Sequence, residues 1–351
     1  MSKETCILIP SAGFASADLL EHIIHHPEAR YRLVVSDMNE HIAARKTAHA
    51  FYCSPATKSD AYLPFILDVC RKEKVDVIFP GKSADAHFFA THENLFRSEN
   101  IHVVLSPAQT IFDTLDKAKS IGILAKAGLT VPQSYEVDNI EQFNDAVSKL
   151  GYPDKPVCIK PSRYPSESGR GFRIIDPSVN IHHRMFWEQP SELYFVGINQ
   201  VLEAMKHEQE FPPQLVMEYL PYEEYSIYCF CDGGKPVYII PNRRISLYQM
   251  STMEAVVDFN EEISETCRRI CEAFHFEYLV NIQLKYSVDR KPKLVEINPR
   301  LAGTIMLPVM AGADLIHFAI QKALGKDYNK EAVVKNGYRI TRELIAKYDE
   351  S

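Results

Sequence analysis

The sequence predicts an α/β protein of two or three domains or subdomains, with a parallel sheet at its N-terminal end and mixed α+β structure after it. Three observations carry this expectation. Up to about residue 112, strand-like runs (CILIPSA, RLVVSD, DVIFPG, HVVLS) alternate with helical ones (ADLLEHIIHH, YLPFILDVCRKEK, DAHFFATHENLF), the pattern of a parallel sheet covered on both faces. From Leu215 onward the chain reads as successive strands, with helices near Glu261 to Phe274 and Asp314 to Leu324, the latter ending at Gly325, and a closing strand-like NGYRITRELI. A length of 351 residues with 46% hydrophobic composition allows a substantial core.

Element by element, Gly13 follows the first strand and Asp37 ends the second, which invites a dinucleotide-binding reading. The other glycines of GxGxxG are missing, however, so Gly13 is expected only to permit a tight turn. PGKSAD, Pro80 to Asp85, resembles half of a phosphate-binding P-loop, but Asp76 occupies the upstream glycine position and rules out a Walker motif. A helix from about Leu115 to Ala127 should stop at Gly128, after which LTVPQSYEV opens a second region. Pro156 to Ile175 then places two strands around a polar, glycine-containing loop, followed by an aromatic-rich stretch to about Pro213, as expected of a small mobile lid. The expected units are residues 1–112, 113–214 and 215–351.

A net charge of −7, without a block of like charge or a basic tail, argues against nucleic acid or an anionic membrane as main partner. The first apolar run is too short for the core of a signal peptide, and no stretch approaches the roughly 18 apolar residues of a membrane span, so a cytoplasmic protein is expected. Eight scattered cysteines without paired CxxC motifs read as core residues in a reducing compartment. The pairs His25–His26 and His182–His183 lack neighbouring ligands in sequence and are expected to be surface or structural.

The densest chemical signal lies in LVNIQLKY (Leu279 to Tyr286) and LVEINPRLAGT (Leu294 to Thr304). Val280, Ile282 and Leu284 alternate with Asn281 and Gln283, and Val295 and Ile297 alternate with Leu294, Glu296 and Asn298, so each strand is expected to have one polar face. The turn-forming SVDRKPK between them predicts an antiparallel hairpin that sets Gln283 near Glu296 and Asn298. Carboxylate and amide oxygens suit the hard cation Mg²⁺, and Arg300 adds charge for a phosphoryl group. A hairpin with a merely wet polar face is the alternative.

Other residues suit a nucleotide. Lys160 precedes a loop holding Arg163, Gly169, Arg170 and Gly171, where an ammonium and flexible backbone donors can meet a triphosphate. Lys117 opens a helix and gains meaning only in combination. LVMEYLPYEEYSI, with Glu218, Leu220, Glu223 and Glu224, has the layout of an adenine hinge followed by ribose-binding carboxylates. Arg243 and Arg244 suit carboxylate or phosphate recognition.

Taken in order, Lys117, the Lys160 loop, the Glu218 hinge, IIPNRRI, NIQL and VEINPR resemble the ATP-grasp superfamily, specifically single-unit relatives of the carbamoyl-phosphate synthetase large subunit. The resemblance covers nearly the whole chain. It implies an ATP-grasp fold with an N-terminal parallel-sheet domain, a small α+β lid and a C-terminal α+β catalytic domain. By that resemblance Lys117, Lys160, Gly169 and Gly171 would hold ATP phosphates, Glu218 with the backbone through Leu220 the adenine, and Glu224 the ribose. Leu284 and Ile297 would flank the base. Gln283, Glu296 and Asn298 would hold Mg²⁺, with Mn²⁺ the alternative, while Arg300, Arg244 and Lys160 would act on the transferred phosphate or acid substrate. Two departures stand out: SESGRG, with Glu167, replaces a more glycine-rich loop, and the region from Asp176 to Pro213, with His182, His183, Phe186, Trp187 and Tyr194, is longer, as a substrate lid or subunit contact would be. The implied activity is ATP-dependent activation of a carboxylate as an acyl phosphate for attack by an amine. Small-molecule acids and amines are then the partners, with a homodimer left open. Carboxyphosphate or carbamoyl-phosphate formation and a silent ATP-binding regulatory subunit are the rivals.

Overall fold

The computed structural model describes residues 4–164, 171–180, 183, 194–207, 212–248 and 251–343, arranged around three sheets. The first contains β1 (Thr5–Ile9), β2 (Tyr31–Asp37), β3 (Ala50–Cys53), β4 (Val77–Ile78) and β5 (His102–Val103). Their order is β3-β2-β1-β4-β5 and every pairing is parallel, as the alternating strand and helix runs predict. All of β1 is buried because its two faces serve two cores. Ile7 and Ile9 pack with Leu19, Leu20 and Ile23 of one helix layer, whereas Cys6 and Leu8 pack with Tyr62, Ile66 and Val69 of the other. β3 is not legible in the sequence, since AFYC is a short strand at the sheet edge, half-buried to exposed, with no long apolar run.

The helix expected from Leu115 to Ala127 is two helices, Ala108–Leu115 and Lys117–Lys126. Asp116 breaks them: its extended backbone bridges to Arg163, and its carboxylate caps the second helix by accepting from the Lys119 amide at 2.8 Å. Gly128 follows with a φ of +73°, the left-handed stop that glycine tolerates. The second sheet contains β6 (Ser134–Val137), β7 (Val157–Pro161), β8 (Arg173–Ile175), β9 (Phe195–Val196) and β10 (Gln214–Glu218), in the order β6-β10-β7-β8-β9. β10 pairs antiparallel with β6 and β7, so the strand that starts at the expected 214/215 boundary belongs to the central sheet. Within residues 176–213, β9 and the helix Ile198–His207 are described and contribute to the core beneath this sheet. His182, Phe186 and Trp187 lie outside the described residues.

The third sheet is antiparallel throughout: β11 (Glu224–Asp232), β12 (Lys235–Tyr248), β13 (Ser251–Val257), β14 (Tyr278–Tyr286), β15 (Pro292–Asn298) and β16 (Arg339–Thr341), in the order β15-β14-β11-β12-β13-β16. On one face the helix Glu261–Phe274 buries Ile263, Cys267, Ile270 and Cys271 against Cys229, Cys231, Val280, Ile282 and Leu284. The cysteine pairs at strand and helix spacing therefore meet as packing groups in one apolar layer. On the other face Tyr228, Phe230, Tyr238 and Ile240 share a core with Leu315, Phe318 and the N-terminal Ile7, Ile9 and Leu20. First and last units are thus joined by a continuous apolar interior, which fixes the carboxyl ends of β1 and β4 against the third sheet.

Gly81, just beyond β4, packs closely against Phe14 in the turn after β1. A Cβ there would stand 1.8 Å from the Phe14 ring. Gly81→Ala is expected to destabilise the protein by about 1–3 kcal/mol through overpacking, and addition of Phe14→Leu should recover part of the loss. Urea denaturation of the single and double variants measures both; equal stability of Gly81→Ala and the parent would contradict the contact.

Candidate functional site

β14 and β15 form the antiparallel hairpin expected from the sequence, with Gln283 opposite Glu296 and Asn281 opposite Asn298. The register then slips, because Leu284 pairs with Leu294 and Val295 has no opposite residue. This β-bulge explains how Leu294 and Ile297, three positions apart, both reach the core. It also turns the Val295 carbonyl outward from the ladder, where it accepts a hydrogen bond from Lys160 Nζ at 2.7 Å.

Glu296 is the centre of the charged cluster. Its Oε2 accepts from Asn298 Nδ2 at 3.2 Å, and Asn298 Oδ1 accepts from Arg300 at 3.1 Å. Arg300 also donates to the Leu301 carbonyl at 2.9 Å. Lys160, near the end of β7, is buried; desolvation pushes its ammonium down to about 8 although Glu296 pulls the other way, and Lys117 lowers it further. Desolvation also lowers Lys117, with Glu296 and Asp116 opposing. Arg300 is lowered by burial too, against the fields of Glu296 and Asp85. Lys117, which sequence alone leaves as a lysine at a helix start, is held there by its amide bond to the Ser162 carbonyl at 2.9 Å. Three cations on separate segments thus surround Glu296, with Asp116 also acting on Lys117 and Asp85 on Arg300, in a largely desolvated place.

The N-terminal sheet adds residues that the motif reading passes over. PGKSAD, dismissed as a Walker motif, carries Asp85, which is fully buried, pushed up by desolvation, and hydrogen-bonded by Ser11 Oγ at 2.9 Å and the Lys82 amide at 3.0 Å. Ser11 holds a left-handed φ of 50°, a strained conformation for a serine. Both loops leave the carboxyl ends of parallel strands, where open α/β sheets place ligands, and that topology is the signal available in sequence. Asp37 plays a different part, accepting the Gly13 and Asn39 amides, each at 2.9 Å. The approach is close, since a Cβ on Gly13 would sit 3.1 Å from the Asp37 carboxylate and the carboxylate would have to shift slightly.

Other expected site residues are placed differently. The Glu218 carboxylate is braced by Lys293 at 2.9 Å and the Gln133 amide at 2.7 Å, and Leu220 is buried beside it in sequence. Glu224 and Arg244, expected at ribose and at phosphate or acid, form an ion pair with each other; Arg244 also donates to Thr252 at 2.9 Å. Arg243 faces Asp258 at 2.9 Å instead, because successive residues of β12 point to opposite faces. Glu223 pairs with Arg290 at 3.0 Å. Leu284, expected to flank a base, is fully buried in the core beneath the helix Glu261–Phe274. Arg163 is claimed by Glu136 through contacts of 2.9 and 2.7 Å. Gly171 has φ +81°, and a Cβ would come within 2.9 Å of Pro161, so the loop returns to β8 through a position that requires glycine. Gly169, Arg170 and Glu167 lie outside the described residues.

Comparison with known proteins agrees with this architecture. Residues 210–344 match the family described as ATP-grasp in the biosynthetic pathway with Ter operon, and residues 7–104 match the PylC-like N-terminal domain. The carbamoyl phosphate synthase large chain of Methanosphaerula palustris is 24% identical over 284 residues, covering 80% of this chain and 25% of that protein. The chain thus spans about a quarter of the length of the curated relatives it matches. N5-carboxyaminoimidazole synthetase from Staphylococcus aureus, solved with ADP, superposes with a TM-score of 0.70 at 16% identity, covering 94% of this chain and 80% of the other. L-amino acid ligase from Bacillus licheniformis gives 0.64 at 13%, covering 92% and 75%. With its sheets and its bulged hairpin in agreement, the chain has the ATP-grasp fold, matches an ATP-grasp family over residues 210–344 and a PylC-like N-terminal domain over residues 7–104, and resembles a unit of the carbamoyl phosphate synthase large chain.

Proposed function

We propose that this protein is an ATP-dependent ligase that activates a small-molecule carboxylate as an acyl phosphate and joins it to an amine, releasing ADP and phosphate. The observation that carries this reading is the convergence of Lys117, Lys160 and Arg300 on Glu296 at the bulged hairpin. Such a cluster of buried cations suits a polyphosphate. The donor set also fits a hard cation, since a carboxylate and the amides of Gln283 and Asn298 lie on neighbouring strands. Mg²⁺ bound there would neutralise charge on the phosphates.

The chain's own residues then bind and align. Lys160, fixed by the Val295 carbonyl, and Lys117 hold the phosphates, and backbone groups from Glu218 to Leu220 read the adenine. A carboxylate oxygen of the substrate attacks the γ-phosphorus as the bond to the bridging oxygen of ADP breaks. The amine nitrogen then attacks the acyl carbon, phosphate leaves, and the nitrogen loses a proton. Arg300 offsets charge on the transferred group, and Arg244 supports the acid once its contact with Glu224 is exchanged for substrate. No protein nucleophile is needed, because phosphoryl transfer depends mainly on positioning and charge. Free, mostly buried cysteines suit a reducing cytoplasmic setting, and among the described residues no helix is long and apolar enough to cross a membrane.

ADP release measured against a panel of acids and amines tests the reaction. It is expected to require both partners; release with bicarbonate alone would favour carboxyphosphate chemistry, and silence with intact ATP binding would favour a regulatory subunit. Glu296→Ala should lower turnover about 100-fold or more while the far-UV circular dichroism is retained, because it removes electrostatic organisation and little core volume. Unchanged turnover would remove Glu296 from the site.

Nucleotide binding should also depend on pH through Lys160. Phosphate favours the ammonium, so the bound form titrates above the free value of about 8. Affinity is therefore complete below about pH 8 and weakens as pH rises through it, by at most about tenfold per pH unit. Fluorescent nucleotide titration from pH 6 to 10 should show this break in the parent and its upward displacement in Lys160→Arg; identical profiles would exclude Lys160 from phosphate contact.

A further inference from the structure

The histidines near the end of the first helix acquire partners that sequence proximity does not reveal. His22 lies in the last turn of the helix Ala17–Ile24 and His26 just beyond it. The tertiary fold brings to them Asp314, the N-cap of the helix Leu315–Ala323, nearly three hundred residues later. His22 Nε2 is 2.7 Å and His26 Nε2 3.1 Å from the same oxygen, Asp314 Oδ2. The three ligand atoms lie within 4.8 Å of one another. We propose that His22, His26 and Asp314 form a binding site for a divalent transition metal of the Zn²⁺ class, which cross-links the N-terminal sheet's first helix to the C-terminal helix Leu315–Ala323.

Two imidazoles with one carboxylate select a borderline metal such as Zn²⁺ or Co²⁺ over the hard Mg²⁺ assigned to the catalytic hairpin. With metal–ligand bonds of about 2.0 Å, ligand atoms on a tetrahedral ion stand about 3.3 Å apart, so the nitrogen–oxygen separations of 2.7 and 3.1 Å need only a small opening. Three protein ligands leave a fourth position for water. The carboxylate is pre-oriented, since its other oxygen accepts the His317 amide at 2.9 Å. His26 is similarly held, with its ring stacked on His317 at 4.2 Å between centroids and 7° between planes, while His317 Nδ1 meets the Tyr31 hydroxyl at 2.7 Å. Both imidazoles exchange their hydrogen bonds to Asp314 Oδ2 for the metal, and there is a further cost: the Glu28 amide donates to His26 Nδ1 at 3.2 Å, a contact given up when the proton moves from Nε2 to Nδ1 on metal binding. Glu28 is exposed, which keeps that cost small.

Co²⁺ titration of the chelator-treated, full-length protein, followed by visible absorption, tests the proposal. One equivalent should produce the intense band of a nitrogen-ligated tetrahedral ion, displaceable by Zn²⁺, in the parent and in Glu296→Gln. His22→Ala and Asp314→Asn, which retains a capping oxygen, should weaken Co²⁺ binding by at least the roughly 10–100-fold that loss of an outer-shell partner alone costs. No tetrahedral band in the parent would overturn the site whatever the variants do. A band that persists in both folded variants, or one that disappears in Glu296→Gln, would overturn it as well.

Discussion

Burial of three cations around Glu296 is the constraint on which the site depends. Removing a lysine from water costs several kcal/mol unless partners replace its hydration. Lys160 meets that demand with one carbonyl and a shared carboxylate, and desolvation still lowers its ammonium to about 8. The carbonyl is available because the hairpin is bulged at Val295, so a local fault in the β-ladder serves the electrostatics of the cleft. Glu296 therefore has two roles. It moderates mutual repulsion among Lys117, Lys160 and Arg300 in the free protein, and under the proposed function it would supply an oxygen ligand to a hard cation.

That arrangement needs support from all three sheets. β7 carries Lys160, the helix break at Asp116 starts the helix that carries Lys117, and β15 carries Glu296 and Asn298. The N-terminal sheet contributes Ser11 and Asp85 at the ends of β1 and β4, where Asp85 influences Arg300. These distant pieces keep their relation because Ile7, Ile9 and Leu20 share one apolar core with Phe230, Leu315 and Phe318. A metal at His22, His26 and Asp314 would lie along the same seam and reinforce it with directional bonds, which close packing by itself does not provide.

Much of the frame is legible in the chain because period-two alternation and turn chemistry act locally. The hairpin, its register at Gln283 and Glu296, the parallel N-terminal sheet and the helix Glu261–Phe274 all follow from patterns within a few dozen residues. Placements that local pattern does not reveal have equally physical causes. Leu284 has the spacing of a residue near a ligand, but strand alternation turns it into the core. Glu224 and Arg244 each look suited to a ligand, yet opposite charges on adjacent strands β11 and β12 pair with each other. Asp116 interrupts an otherwise helical pattern because its backbone bridge and cap outweigh local propensity.

By itself the sequence determined the alternation of elements, the polar face of the hairpin and the residue types able to hold phosphate and a hard cation, because backbone periodicity and side-chain chemistry belong to short segments. Only tertiary structure decided which charges share a space. It gave Lys117 its significance, brought Asp85 toward Arg300, gave Arg163 to Glu136, and joined His22 and His26 to Asp314. Coulomb interactions and desolvation depend on distance and burial, and neither quantity exists until remote segments pack against one another.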